Sequence, residues 1–88
     1  MPKIRYMPSK KDPDTRMYSG RFAARLTALR EKAGLSVEDL VEITGFPKRT
    51  LYRWEEGLRM PPVDAYPKLA EALGVKTRTL LPEQAGFY

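Results

Sequence analysis

Ser36-Val37-Glu38-Asp39-Leu40-Val41-Glu42-Ile43-Thr44-Gly45-Phe46-Pro47-Lys48-Arg49-Thr50-Leu51-Tyr52-Arg53-Trp54-Glu55 is the run on which the architecture depends. It opens with the clearest helix start in the chain. Ser36 stands at a cap position and Asp39 follows three residues later, an Asp variant of the capping box. Leu35 before the cap and Leu40 after it can form a hydrophobic staple. Glu38 and Asp39 put negative charge in the first turn, where it suits the helix dipole. Leu40, Val41 and Ile43 supply apolar contacts, and Gly45 ends the helix. Pro47 then suits the first turn of a second short helix, because its missing N–H would be unpaired there anyway. In that helix Leu51 and Trp54 point inward at a spacing of three. Lys48, Arg49, Thr50, Tyr52 and Arg53 cover the opposite face, and Gly57 stops the helix.

Outward from this run the pattern stays helical. Upstream, Phe22, Leu26, Leu29 and Ala33 recur at helical spacing, with Ser19 as the expected cap and Gly34 as the left-handed stop. Downstream, a loop carries Arg59, Pro61 and Pro62. Asp64 is the expected cap of a fourth helix, with Pro67 in its first turn and Leu69, Ala70 and Leu73 facing the core up to Gly74. Thr77 is placed to cap a short fifth helix holding Leu80 and Leu81, stopped by Pro82. No stretch alternates like a strand and nothing repeats. The expected class is therefore all-α, with five helices in one compact domain. Residues 1–18 form a basic, proline-punctuated segment, 19–82 the helical domain and 83–88 a tail ending in Phe87 and Tyr88. The first segment fits an extended arm and a leader without a role equally well.

Composition narrows the chemistry. With 88 residues there is room for one modest core. The chain has no cysteine and no histidine, so disulfides, thiolate metal sites, imidazole bases and His-based triads are excluded. No carboxylate cluster has metal-site spacing. No metal, cofactor, small-molecule substrate or catalytic role is expected. The formal charge of +5 leans toward an anionic partner. No apolar run approaches the roughly 20 residues that span a bilayer, and the start lacks a signal-peptide stretch, so a cytoplasmic location without membrane contact is the expectation.

Two short helices around a tight glycine-containing turn make a helix-turn-helix unit. Together with Leu29-Arg30-Glu31-Lys32-Ala33-Gly34-Leu35-Ser36, with Leu69-Ala70-Glu71-Ala72-Leu73-Gly74-Val75 and with Leu80-Leu81, it resembles the Cro/C1-type (XRE-like) family of phage repressors and bacterial regulators. The likeness runs from about Phe22 to Leu81. It implies a lambda-repressor-like fold and binding to double-stranded DNA, with the second helix of the unit, Pro47 to Glu55, in a major groove about 12 Å wide. Lys48, Arg49 and Arg53 match positions that meet base edges in the family, and Thr50 matches one that touches phosphate or a base. Arg30 and Glu55 match a buried ion pair that ties the first helix to the third.

Some positions depart from the pattern or stay open. Val37 replaces a glutamine that contacts phosphate in the family, Val41 replaces an alanine at the contact between the two helices, and Pro47 replaces a capping hydroxyl. Tyr52 fits a contact to sugar-phosphate or to a thymine methyl, and equally a simple covering of the helix. Arg59 fits a phosphate or minor-groove contact, or an ordinary surface loop. Arg21 and Arg25 are further phosphate candidates. Phe87 and Tyr88 fit either a dimer contact or a frayed end. The implied function is a transcriptional regulator acting as a repressor and a homodimer, since two copies double the bases read. The alternative is an antitoxin-like or adaptor module that binds a protein partner through the same fold.

Overall fold

The computed structural model describes residues 13–82, and its elements begin and end for identifiable chemical reasons. The first helix, α1, spans Tyr18–Lys32 and buries Gly20, Phe22, Ala23 and Leu26. It starts before the expected Ser19 cap: Met17 holds the cap position with no side-chain bond, and Ser19 lies inside the helix. The reason is a turn just upstream. Met17 N–H donates to the Asp14 carbonyl at 3.0 Å, and Arg16 bonds the Asp14 carboxylate through Nε at 3.0 Å and Nη2 at 3.1 Å. This turn lies so close to α1 that a Cβ on Gly20 would stand 1.8 Å from the Asp14 carbonyl oxygen. At the other end Gly34 adopts φ +76°, Gly34 N–H reaches the Glu31 carbonyl at 2.9 Å, and Leu35 N–H reaches that of Arg30 at 3.1 Å. The left-handed residue thus satisfies carbonyls that the helix end would leave open.

α2, Val37–Thr44, starts with the full capping box. Ser36 Oγ accepts from Asp39 N–H at 3.0 Å, and Asp39 Oδ2 accepts from Ser36 N–H at 2.9 Å. Its last residue organises the turn. Thr44 is buried, donates from Oγ1 to the Leu40 carbonyl at 2.6 Å and accepts from Phe46 N–H at 3.2 Å. α3 spans Lys48–Glu56, one residue later at each end than the expected Pro47 to Glu55. Pro47 occupies the cap, because its ψ of 146° is extended and not helical. Ile43, expected to pack inward from α2, is 55% exposed.

α4, Ala65–Leu73, carries Asp64 at its cap position, but the aspartate makes no capping bond. The Pro62 and Val63 carbonyls instead accept from Ala65 and Tyr66 N–H at 2.9 and 3.2 Å, so the backbone of the preceding turn meets donors that a side chain would otherwise serve. The expected fifth helix is a single 3-10 turn, Thr77–Leu80, with Lys76 and not Thr77 at its cap position. Its purpose in packing is clear from Leu80, which is fully buried. The described residues therefore form four α-helices and one 3-10 helix, without a strand.

The core is one apolar cluster fed by every element. Phe22, Leu26, Leu40, Leu51, Leu69 and Leu80 are fully buried, and Trp54 is nearly so. Burying each such side chain contributes about 1.5–3 kcal/mol. α3 packs on α1 and α2, α4 packs on α2 and the 3-10 helix, and the 3-10 helix closes on α1. α3 thereby has one side fixed in the core and the other left to solvent.

Candidate nucleic-acid interface

The inner side of α3 is held by more than apolar packing. Glu55 is fully buried on α3, and Arg30 of α1 meets it with two parallel bonds: Nε to Oε2 at 2.7 Å and Nη2 to Oε1 at 3.1 Å. The remaining guanidinium nitrogen, Nη1, donates to the Leu35 carbonyl at 2.9 Å. One arginine therefore ties α1, the link into α2, and α3. Hydrogen bonding to Glu55 holds the Arg30 guanidinium above its already high usual pKa, so this cation persists at every ordinary pH. Phe46 packs edge-on against Trp54, with centroids 5.2 Å apart, which anchors the turn to the same helix.

With Leu51, Trp54 and Glu55 turned inward, helical spacing sends other residues outward. Lys48, Arg49 and Arg53 are exposed, and Thr50 and Tyr52 are half-buried. Arg49 and Arg53 lie one turn apart, and neither forms an ion pair with a described residue. Two like charges so placed repel mildly and favour an anion between them. Lys48 differs. Its Nζ sits 2.7 Å from Glu38 Oε2, across the gap between α3 and α2, and 5.8 Å from the Tyr52 ring centroid. That bond raises the Lys48 pKa and holds the Glu38 carboxyl below the usual carboxylate range.

The other arginines singled out in the sequence are not gathered onto α3. Arg59 is exposed in the loop between α3 and α4. Arg21 bonds the Thr15 carbonyl at 3.3 Å and stacks over Tyr18, so it braces the turn ahead of α1. Arg25 donates through Nε to the Thr79 carbonyl and links α1 to the 3-10 helix. Val37, at the glutamine position, is buried and offers no polar contact. Phe87 and Tyr88, and residues 1–12 of the N-terminal segment, lie outside the described residues. Glu38 is the residue whose place the sequence did not disclose. Its position in the first turn of α2 explained it fully as a dipole partner, and no local spacing announced the contact to Lys48.

Among the described residues no group of acidic side chains could hold a metal ion, and no helix is long and apolar enough to cross a membrane. Shallow hollows lie on the surface of the described residues. One lies between the start of α1 and the end of α3, lined by Met17, Gly20, Gly57 and Leu58. Another lies between the ends of α1 and α4, lined by Leu29, Ala33, Leu73 and Val75.

Comparison with known proteins agrees with this geometry. The family model for a helix-turn-helix domain matches residues 21–84. A restriction-modification controller protein of Aeromonas hydrophila is 34% identical, with a TM-score of 0.66 over 69% of this chain and 92% of its own. A hypothetical transcription factor of Neisseria is 26% identical, with a TM-score of 0.72 over 92% of this chain and 93% of its own. A transcriptional regulator of Vibrio cholerae is 28% identical, with a TM-score of 0.68 over 73% of this chain but only 36% of its own. No curated protein sequence matches.

Proposed function

The chain belongs to the helix-turn-helix domain family, and on that premise we propose that it is a transcriptional regulator that binds double-stranded DNA and reads the major groove with α3. The observation that carries this reading is the exposed pair Arg49 and Arg53 on a helix whose other side is locked to α1 by Arg30 and Glu55. Rigid anchoring matters because a base contact depends on where the guanidinium stands. An arginine can bond guanine O6 and N7 together, which discriminates that base by about 1–3 kcal/mol. Lys48 stands at a further base-edge position of the same helix, Thr50 and Tyr52 add phosphate, sugar or thymine-methyl contacts, and Arg59 extends the cationic surface from the next loop. The structural neighbours named as a controller protein and as transcription factors support the same reading.

The finer proposal is a repressor that acts as a homodimer. One copy presents only a single short helix to the groove, and a two-fold arrangement doubles the bases read. Selection of bound duplexes from a random pool tests this. The expected outcome is an inverted repeat with half-sites about one helical turn apart. Recovery of unrelated sequences would overturn specific recognition. Binding should also weaken with salt, with log K falling by about 0.9 per log unit of salt for each phosphate neutralised.

A further inference from the structure

We infer that Glu38 is an affinity-limiting residue of the DNA surface: it occupies the ammonium of Lys48 and stands as a fixed anion beside the phosphate backbone. The inference rests on the reading of α3 as the groove helix and deepens it. Lys48 is the first residue of α3, and in a helix-turn-helix unit the N-terminal residues of the groove helix are the ones that meet DNA. Glu38 Oε2 lies 2.7 Å from its Nζ, so whatever Lys48 can reach, Glu38 borders. Both side chains are open to water, with 62% of Glu38 and 52% of Lys48 exposed, and neither is needed by the core.

The capping of α2 is already complete without Glu38. Ser36 and Asp39 make both bonds of the capping box, and Glu38 projects instead toward α3. Its bond to Lys48 holds the carboxyl below the usual carboxylate range, so the negative charge persists through ordinary pH. A phosphate approaching Lys48 therefore meets a cation whose partner is in place, and a carboxylate beside it. Val37 adds to the contrast, since the neighbouring position on α2 is buried and contributes no compensating donor. Of the three cations on α3, only Arg49 and Arg53 are left to attract an anion, and Lys48 contributes to binding only when Glu38 releases it.

Glu38→Gln tests this in the full chain, with a fluorescently labelled duplex of mixed sequence as the probe and anisotropy read across a salt series. The expected result is tighter binding by about threefold to tenfold at low salt, and a slope of log K against log salt steeper by about 0.9, one phosphate's worth. Lys48→Met should weaken binding more in the Glu38→Gln background than in the wild type, because only there is the ammonium free. Far-ultraviolet circular dichroism and Trp54 fluorescence confirm that each variant is folded, and Glu38→Ala repeats the charge removal without an amide. An affinity within twofold of wild type, or a weaker one, in folded Glu38→Gln and Glu38→Ala overturns the inference while leaving the DNA-binding reading intact. A wild-type protein that binds no duplex at low salt removes both.

Discussion

Replacing Arg30 by methionine probes the anchoring of α3. The substitution keeps the length of the aliphatic stem and removes three bonds: the two to Glu55 at 2.7 and 3.1 Å and the one to the Leu35 carbonyl at 2.9 Å. Glu55 is fully buried, so its carboxylate loses its bidentate cation in a place that water does not reach. Breaking a buried pair from one side costs about 3–5 kcal/mol, most of it the penalty of the remaining charge. Against that, a chain of this size is stable by roughly 4–13 kcal/mol. The loss therefore consumes a large share of the whole. At roughly 4–8 °C per kcal/mol, the melting temperature should fall by at least about 12 °C. Urea unfolding followed by Trp54 fluorescence is the assay, since the chain has one tryptophan and it lies in the core. The double variant Arg30→Met with Glu55→Leu should regain most of the loss, because no charge is then stranded. A single variant that loses less than about 1 kcal/mol, or a double variant no better than the single, would refute this account of the anchor.

Ser36→Ala removes one half of the capping box and should cost about 1 kcal/mol in the same urea assay, because Asp39 N–H loses its acceptor. An unchanged midpoint would mean that the α2 start is held by other forces. Alanine at Gly45 and at Gly57 should separate in magnitude. Both have positive φ, +81° and +79°, so each substitution carries a left-handed backbone cost of roughly 1–2 kcal/mol. At Gly45 the new methyl enters open space, whereas at Gly57 it meets Gly20 Cα at 3.3 Å. Gly57→Ala should therefore be the more destabilising, and equal losses would contradict the close approach of α1 and α3.

Where structure was legible in the sequence, the signal was local and redundant. The α2 start combined a hydroxyl at the cap with a carboxylate three residues on, and both bonds formed. The glycine stops at Gly34, Gly45, Gly57 and Gly74 all take positive φ. The apolar spacing of Leu51 and Trp54 placed those residues in the core, and with them the cations on the other side. What was misread depended on partners distant in sequence, on the turn that precedes a helix, or on backbone in place of side chains. Ser19 and Asp64 have the chemistry of caps, but preceding turns delivered the chain differently: Asp14 and Arg16 set one helix start, and the Pro62 and Val63 carbonyls the other. Ile43 matched the apolar side of an isolated helix, yet α2 is so short that its rotation is set by Leu40 and Thr44 instead. The Arg30–Glu55 geometry was reachable only through family resemblance, since the two residues are 25 positions apart. The Glu38–Lys48 pair carried no sequence signal, because its two residues belong to different helices whose relative rotation is a result of packing.

The most direct test is the duplex affinity of the Arg49→Ala, Arg53→Ala double variant measured by anisotropy beside the wild type, on duplexes recovered by selection. Both side chains are exposed and away from the core, so the variant should unfold at the same urea concentration as the wild type. It should lose at least about fivefold in affinity, a figure that corresponds to a single guanine contact at the low end of its range. An intact fold that binds the selected duplexes as tightly as before would contradict the assignment of α3 as the surface that meets DNA.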